Sequence, residues 1–408
     1  MKSSSDETAL EREIKREFPP DFAEPQYELA DIFRKYGGFY RANHILPPRI
    51  HKAMRAIENC RTSVLGAHKD QCDHCNHIEI SYNSCRNRHC PKCQASQRFE
   101  WVSKRELELL PIQYFHIVFT LPEQLNQLLP LNNHKVYDIL CKAAADTLQR
   151  FAEKRWQGKL GIIMALHTWG QTLSTHPHVH CIVTGGVLKN DHSEFVKAPK
   201  NYLFPVQALS PVFRGKYLEG LSKAYQKGDL KLGPAPKETW QKLTKSLYQH
   251  DWVVYAKQPF DKPQHIIRYV GRYINRVAIS NHRIRSIEDG NVIFDYHDYR
   301  DSQDKILTLC ADEFIRRFLN HILPERFRGI RYYGILSNSH RKSKLVLSRE
   351  LLGVTDPERP FIPDMDDYLS KQAFDPGLCQ VCGDGHMLTI EVYPGLLHDP
   401  PKLHALAA

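Results

Sequence analysis

Thr175-His-Pro-His-Val-His-Cys-Ile-Val-Thr-Gly-Gly186 sets two imidazoles on either side of a single valine, inside a run that otherwise reads as a strand. Side chains two apart on an extended chain share a face. His178 and His180 therefore project together while Val179 points to the core, and the pair offers a cation two nitrogens on a rigid platform. Residues 160–173 read as a second strand, and a short turn through residues 174–177 returns the chain antiparallel to it. That hairpin brings His167 and Gln171 beside the pair as alternative third ligands. His167 has the better donor, an imidazole, whereas Gln171 lies nearer the turn and would use its carbonyl oxygen.

Outward from this hairpin, residues 113–122 carry β-branched and aromatic density ending at a proline, hence a strand, and a helix follows over 123–156 with a break near Pro130. Gly185 and Gly186 end the histidine strand in this reading. The polar stretch to about residue 250, cut by Pro199, Pro205, Pro211, Pro234 and Pro236, reads as an inserted or connecting region with one helix near 215–225. Residues 251–257 form another strand, and Pro263 opens a helix at a position where proline is tolerated. On that helix Ile266, Val270, Ile274 and Val277 make the core stripe. Tyr269 and Tyr273, four apart, stack two phenols on the other side beside Arg272 and Arg276. Asp289-Gly290 marks a hairpin between strands near 283–287 and 292–296, and a helix over 311–322 precedes a possible strand at 329–336.

Six of the eleven cysteines lie between Cys60 and Cys93, which is a metal-binding distribution and not a disulfide framework. Cys72-x-x-Cys75 and Cys90-x-x-Cys93 are two knuckles of the kind that close on tetrahedral zinc, and they form the expected first site. Cys60, His68, Cys85 and His89 supply donors for a second ion, so one or two zincs are expected. Cys379-x-x-Cys382 is half a site that would recruit Cys310 or His386, or else a reducible pair. Cys141, Cys181 and Cys310 stand alone and read as packing residues. Arg86, Arg88, Lys92 and Arg98 are interleaved with the knuckles, along with Tyr82 and Trp101, a composition suited to phosphate contact and base stacking; a solvated basic face is the alternative. Basic residues recur at Arg326, Arg328, Arg331, Arg341, Lys342 and Lys344.

A net charge of +10 over 408 residues points to a polyanionic partner. With no signal-peptide pattern and no bilayer-spanning apolar run, the expectation is a reducing, cytoplasmic setting without a membrane role. The organisation reads as a mobile tail (1–24), a helical and zinc-binding DNA-recognition module (25–108), a catalytic unit (109–300, with the inserted region at about 187–250) and a basic C-terminal region with the last Cys-x-x-Cys (301–408). A histidine-held cation and a nearby phenol suit phosphodiester transesterification, the one neutralising charge on the phosphate while the other attacks phosphorus.

Taken together, Cys72-x-x-Cys75, Asn83-Ser-Cys-Arg-Asn-Arg-His-Cys-Pro-Lys-Cys93, His167-Thr-Trp-Gly-Gln171, His176-Pro-His-Val-His180 and Tyr269-Val-Gly-Arg-Tyr273 resemble the two-tyrosine HUH transposases of the family named after insertion sequence 91. The resemblance runs from about residue 32 to 336. It implies an α+β fold with a central antiparallel sheet of the HUH endonuclease type and flanking helices, preceded by the helical and zinc-knuckle module. It also implies a DNA transposase that cuts and rejoins single-stranded DNA at element ends and target, in rolling-circle-like transposition in the bacterial nucleoid. His178 and His180 match the ligands of the catalytic Mg²⁺ or Mn²⁺, and Tyr269 and Tyr273 match the paired nucleophiles. A plasmid replication initiator or relaxase of the same chemistry and a non-catalytic zinc-dependent DNA-binding regulator are the rival functions, together with a metal hydrolase working through bound hydroxide.

Overall fold

The computed structural model describes residues 25–93, 101–102, 104–232, 236–257, 276–354 and 377–396. The expected helix with Tyr269, Arg272 and Tyr273 lies outside them, as does Arg98. In chain order the N-terminal half holds α1 (Leu29–Asn43), α2 (Pro48–Glu58), β1 (Ala67–Cys72), β2 (Ile78–Tyr82), β3 (Tyr114–Thr120), α3 (Leu129–Trp156), β4 (Gly158–Trp169) and β5 (Thr175–Lys189). There follow β6 (Phe195–Lys197), α4 (Val206–Gln226), α5 (Pro236–Gln249), β7 (Val254–Lys257), β8 (Ile284–Glu288), β9 (Asn291–Asp298), β10 (Gln303–Cys310), α6 (Ala311–Asn320), β11 (Ile330–Gly334), α7 (Arg341–Leu351) and β12 (Met387–Tyr393). The class is α+β with antiparallel sheets.

The central sheet has the strand order β11-β4-β5-β3-β7, with β6 added on β5. The expected hairpin is its middle: β4 and β5 pair antiparallel with His167 opposite His178 and Ala165 opposite His180. One face of this sheet, through Phe115, Ile117, Phe119, Ile162, Met164, Val179, Cys181 and Val183, forms the main core with α3 and α4. Helix α3 contributes Val136, Leu140, Ala143, Ala144 and Leu148 at helical spacing, and the irregularity near Pro130 sits at Asn132 (φ −132°). The opposite face carries the histidines at one end and, at the other, a smaller apolar cluster that includes Ile163, Ile182, Leu336 and Leu345.

Two expectations change here. Strand β5 does not stop at Gly185 and Gly186 but runs to Lys189, because β6 pairs with it at Gly186. The glycines are there for space: a Cβ on Gly185 would meet the Gln113 carbonyl oxygen at 2.5 Å, and one on Gly186 the Val196 oxygen at 2.6 Å. The 187–250 stretch is not merely a polar connection with one short helix. Helix α4 spans 21 residues and takes Pro211 inside it, and its Leu209, Phe213, Tyr217 and Leu221 are buried in the main core. Helix α5 adds Leu243 and Leu247 to that core, and its Trp240 stacks on Tyr225 with ring centroids 4.3 Å apart.

A second sheet, β10-β9-β8, turns between β8 and β9 at Asp289 and Gly290, both with positive φ (46° and 75°), the conformation that a tight hairpin needs. Its apolar residues share a core with α1, α2 and α6, in which Phe33 meets Phe318 edge to face at 5.7 Å. The third sheet, β12-β1-β2, pairs the C-terminal strand with the first strand of the chain. None of the residues of β2 or β12 is buried. Of the three lone cysteines, Cys141 and Cys181 pack in the main core as expected, whereas Cys310 is exposed at the start of α6.

Candidate metal centres

Strand alternation and register bring His167, His178 and His180 together, each offering a ring nitrogen within 4.8 Å of the others. The Nε2 atoms of His178 and His180 stand 3.1 Å apart. His178 donates from Nδ1 to its neighbour His176's carbonyl oxygen at 2.7 Å, which leaves the Nε2 lone pair for a ligand. His180 is fixed in the same sense by His116 on β3, whose Nε2 lies 2.9 Å from His180 Nδ1. Trp169 stacks on the His167 ring at 4.7 Å, so the third imidazole is also held. His167 and His180 are buried and His178 is half-buried.

Burial, with the neighbouring imidazoles and Arg276, holds His180 well below the ordinary histidine range, and burial brings His178 down to about 4. Both are neutral at physiological pH, the state in which imidazole ligates a metal. His116 was not among the residues singled out from sequence. Its signal is an imidazole in an otherwise apolar strand, Tyr114-Phe-His-Ile-Val-Phe-Thr120, on the face shared with His180. Gln171, the alternative third ligand, lies past the end of β4. Strand β4 ends at Trp169 and the chain turns at Gly170, and the Gln171 amide donates to the Tyr299 hydroxyl at 3.1 Å.

The cysteines are grouped differently from the expected quartets. Cys90 and Cys93 converge with Cys60 and Cys85, while Cys72 and Cys75 converge with Cys379 and Cys382. The first group is carried by the end of α2 and the loop after β2, where Arg86 takes a positive φ of 51° to fold the knuckle back on itself. Its sulfurs lie 3.4 Å (Cys60 to Cys93) and 3.6 Å (Cys85 to Cys93) apart, close to the edge of about 3.8 Å of a tetrahedron with zinc–sulfur bonds of about 2.3 Å. The Cys85 amide points at the Cys60 sulfur at 3.4 Å, and hydrogen bonds from the Cys85 and Cys90 thiols bring Cys60 down to about 7, while the same thiol contacts push Cys85 and Cys90 up. His68 and His89 are outside both groups. His68 is taken up by Asn83 and Asp70, and His89 accepts from the Leu323 amide.

Two families match the chain, one described as "Transposase zinc-binding domain" over residues 32–121 and one as "Putative transposase" over residues 161–344. The "Putative transposase y4qJ" of Sinorhizobium fredii is 43% identical over 386 residues, covering 91% of this chain and 97% of that one. The "Transposase for insertion sequence element IS801" of Pseudomonas savastanoi pv. phaseolicola is 30% identical over 364 residues, covering 85% of each. The chain belongs to the transposase family named after insertion sequence 91. No solved structure matches it significantly.

Within this transposase family the matched zinc-binding residues contain all of Cys60, Cys72, Cys75, Cys85, Cys90 and Cys93 but not Cys379 or Cys382. The matched transposase residues contain His167, His178 and His180, and also Tyr269 and Tyr273. The basic residues divide. Arg88 donates to the carbonyl oxygens of Phe327 (2.5 Å) and Pro324 (2.8 Å), and Lys92 pairs with Glu28 at 2.6 Å. These two therefore tie the zinc-binding region to other parts of the chain. Arg331 pairs with Asp138 and Arg341 with Glu108. Arg86, Arg326, Arg328 and Lys342 are exposed. Among the described residues no helix is long and apolar enough to cross a membrane.

Proposed function

We propose that this protein is an insertion-sequence transposase that cuts and rejoins single-stranded DNA at element ends and target, with His167, His178 and His180 as ligands of a divalent cation and Tyr269 and Tyr273 as nucleophiles. The observation that carries the reading is the convergence of three imidazoles on one face of the central sheet, two of them, His178 and His180, held neutral and each fixed through its Nδ1. When bound, Mn²⁺ or Mg²⁺ would neutralise charge on the non-bridging phosphate oxygens; imidazole donors favour Mn²⁺.

Lys257 and Arg276, the residues on either side of the tyrosine segment, both act electrostatically on this histidine cluster, Lys257 on His116 and Arg276 on His178 and His180. The described residues that flank the segment thus both act on the site, which supports assigning the segment the attack. A tyrosine oxygen would bond to phosphorus as the bond from phosphorus to the 3′-oxygen breaks, leaving a 3′-hydroxyl and a 5′-phosphotyrosine. The phosphodiester is exchanged and not hydrolysed, so resealing needs no ATP. A second tyrosine lets one end stay attached while another is cut. Arg276 carries positive charge next to the site and suits a phosphate contact, with Arg272 a further one from the same segment. Zinc at Cys60, Cys85, Cys90 and Cys93 would hold the DNA-recognition region together, with Arg86 on its surface, and the work would be done on DNA in the bacterial cytoplasm.

The test is incubation of the purified chain with labelled single-stranded oligonucleotides spanning candidate ends, with Mn²⁺ or Mg²⁺, followed by a denaturing gel. A covalent protein–DNA adduct should form, and it should vanish in the Tyr269→Phe/Tyr273→Phe double variant and in His178→Ala. Cleavage without an adduct would replace the tyrosine mechanism by metal-bound hydroxide, and tight binding without cleavage would leave a regulator.

A further inference from the structure

We propose that Cys72, Cys75, Cys379 and Cys382 form a second zinc site, separate from that at Cys60, Cys85, Cys90 and Cys93, and that its ion staples the C-terminal strand of the chain to the N-terminal zinc-binding region. The inference stands apart from the cleavage chemistry and goes beyond the matched zinc-binding residues, which end at residue 121 and hold only half of this site.

Cys72 Sγ lies 3.7 Å from Cys382 Sγ, Cys75 Sγ lies 3.7 Å from Cys379 Sγ, and all four sulfurs fall within 4.8 Å of one another. That is the edge of about 3.8 Å of a zinc–thiolate tetrahedron and far from the bond of about 2.05 Å of a disulfide. The two halves are built alike. Each Cys-x-x-Cys is followed by a residue of positive φ, Asn76 at 58° and Gly383 at 74°, which turns the chain back around the sulfurs. Backbone N–H groups point at sulfur in both halves, from His74 and Cys75 to Cys72 and from Gly385 to Cys382, each at 3.4 Å. Hydrogen bonds of this kind favour sulfur in its thiolate form. A Cβ on Gly385 would stand 2.5 Å from Cys72 Sγ, so only glycine lets the second knuckle close over the first. The halves are also laced directly, Asp73 N–H to the His386 oxygen at 3.0 Å and His386 N–H to the Asp73 carboxylate at 2.7 Å.

Apolar burial does not explain the docking. Strand β12 pairs with β1 along the register from Ala67 with Tyr393 to Cys72 with Met387, yet no residue of β12 is buried. A solvated strand that must close a loop of over 300 residues has little to hold it by backbone pairing alone. Four thiolates on one ion supply the missing linkage, the thiol protons leaving to solvent as Zn²⁺ binds. The outer site is also the more open: Cys75 is exposed and Cys382 half-buried, whereas three of the four inner cysteines are buried. Its ion should leave first under chelation.

The full-length chain, purified from zinc-supplemented cells without chelator, is assayed for zinc by mass spectrometry and for amide exchange. With His178→Ala in every chain to remove the imidazole site, two ions per chain are expected, and one when Cys379→Ser/Cys382→Ser is added, with faster exchange over residues 387–393 and unchanged protection in β4 and β5. Cys72→Ser/Cys75→Ser, from the other half, should give the same count and the same exchange in β12. In that background, one ion with all four outer cysteines present, two in either cysteine double variant, or unaltered exchange in β12 after loss of an ion overturns the proposal. None of these readouts depends on DNA cleavage.

Discussion

His116 shows how much of the histidine centre rests on a side chain that touches no substrate. Its Nε2 sits against His180 Nδ1, so it fixes which nitrogen of His180 faces the site. Replacing His116 by Phe keeps the apolar body and removes that partner. Affinity for Mn²⁺ should fall about 10–100-fold, the usual cost of losing such a support, with the circular dichroism spectrum unchanged. Titration calorimetry with Mn²⁺ checks this, and adduct yield should recover at raised metal. Equal affinity in the two proteins would show that the ring orientation is set by packing alone. At this scale the sequence exposed the ligand types but not their partners. His178-x-His180 is readable because alternation on a strand is local, whereas His116, His167 and the grouping of the cysteines depend on which strands and loops become neighbours.

Among the elements, β5 does the most work: it carries two candidate ligands and pairs with β3, β4 and β6. Its passage between neighbours is tightest at Gly185, where the Gln113 backbone leaves no room for a methyl group. Gly185→Ala should destabilise the protein by about 1–3 kcal/mol, as overpacking of a closed site does, and urea unfolding measures it. A loss under half a kilocalorie would mean that β3 yields easily there. Glycines in a strand run look like terminators in one dimension; here they are clearances for adjacent backbone. The same limit hid helix α4. Pro205 and Pro211 read as breaks, but Leu209, Phe213, Tyr217 and Leu221 bury a full stripe against the sheet, and that burial outweighs the hydrogen bond lost at one proline. Where periodicity was uninterrupted, as in β3, α3 and the β8–β9 hairpin, the reading and the structure agree to within a few residues.

Across the whole molecule, the N-terminal helices do not form an island. Cys60, Cys90 and Cys93 lie in one apolar cluster with α1, α2, Leu173 and residues of β8, β9 and α6. Cys90→Ser should therefore cost its zinc and also loosen this shared core, lowering the melting temperature and abolishing DNA binding; a variant that keeps full zinc content would refute the ligand set. Acid should act on the same scale. Burial pushes His116 down to about 3 and His321 down to about 4, and both side chains are almost wholly buried. In the unfolded chain they protonate near 6.5, so between about pH 6.5 and 4 the unfolded state takes up protons that the fold refuses, and stability falls with pH. Above that window these two groups contribute no slope. His321→Gln should flatten the fall by about 1.4 kcal/mol per pH unit, read from denaturant titrations of zinc-loaded protein at stepped pH. The sequence by itself determined the antiparallel α+β character, the histidine strand and the presence of thiolate-rich knuckles, because alternation, helical periodicity and Cys-x-x-Cys turns are properties of a few adjacent residues. Only the tertiary structure set His167 beside His178 and His180 and brought Cys72 and Cys75 to face Cys379 and Cys382. Those choices are made by strand register and by contacts across 300 residues of chain, where a local pattern carries no information about its partner.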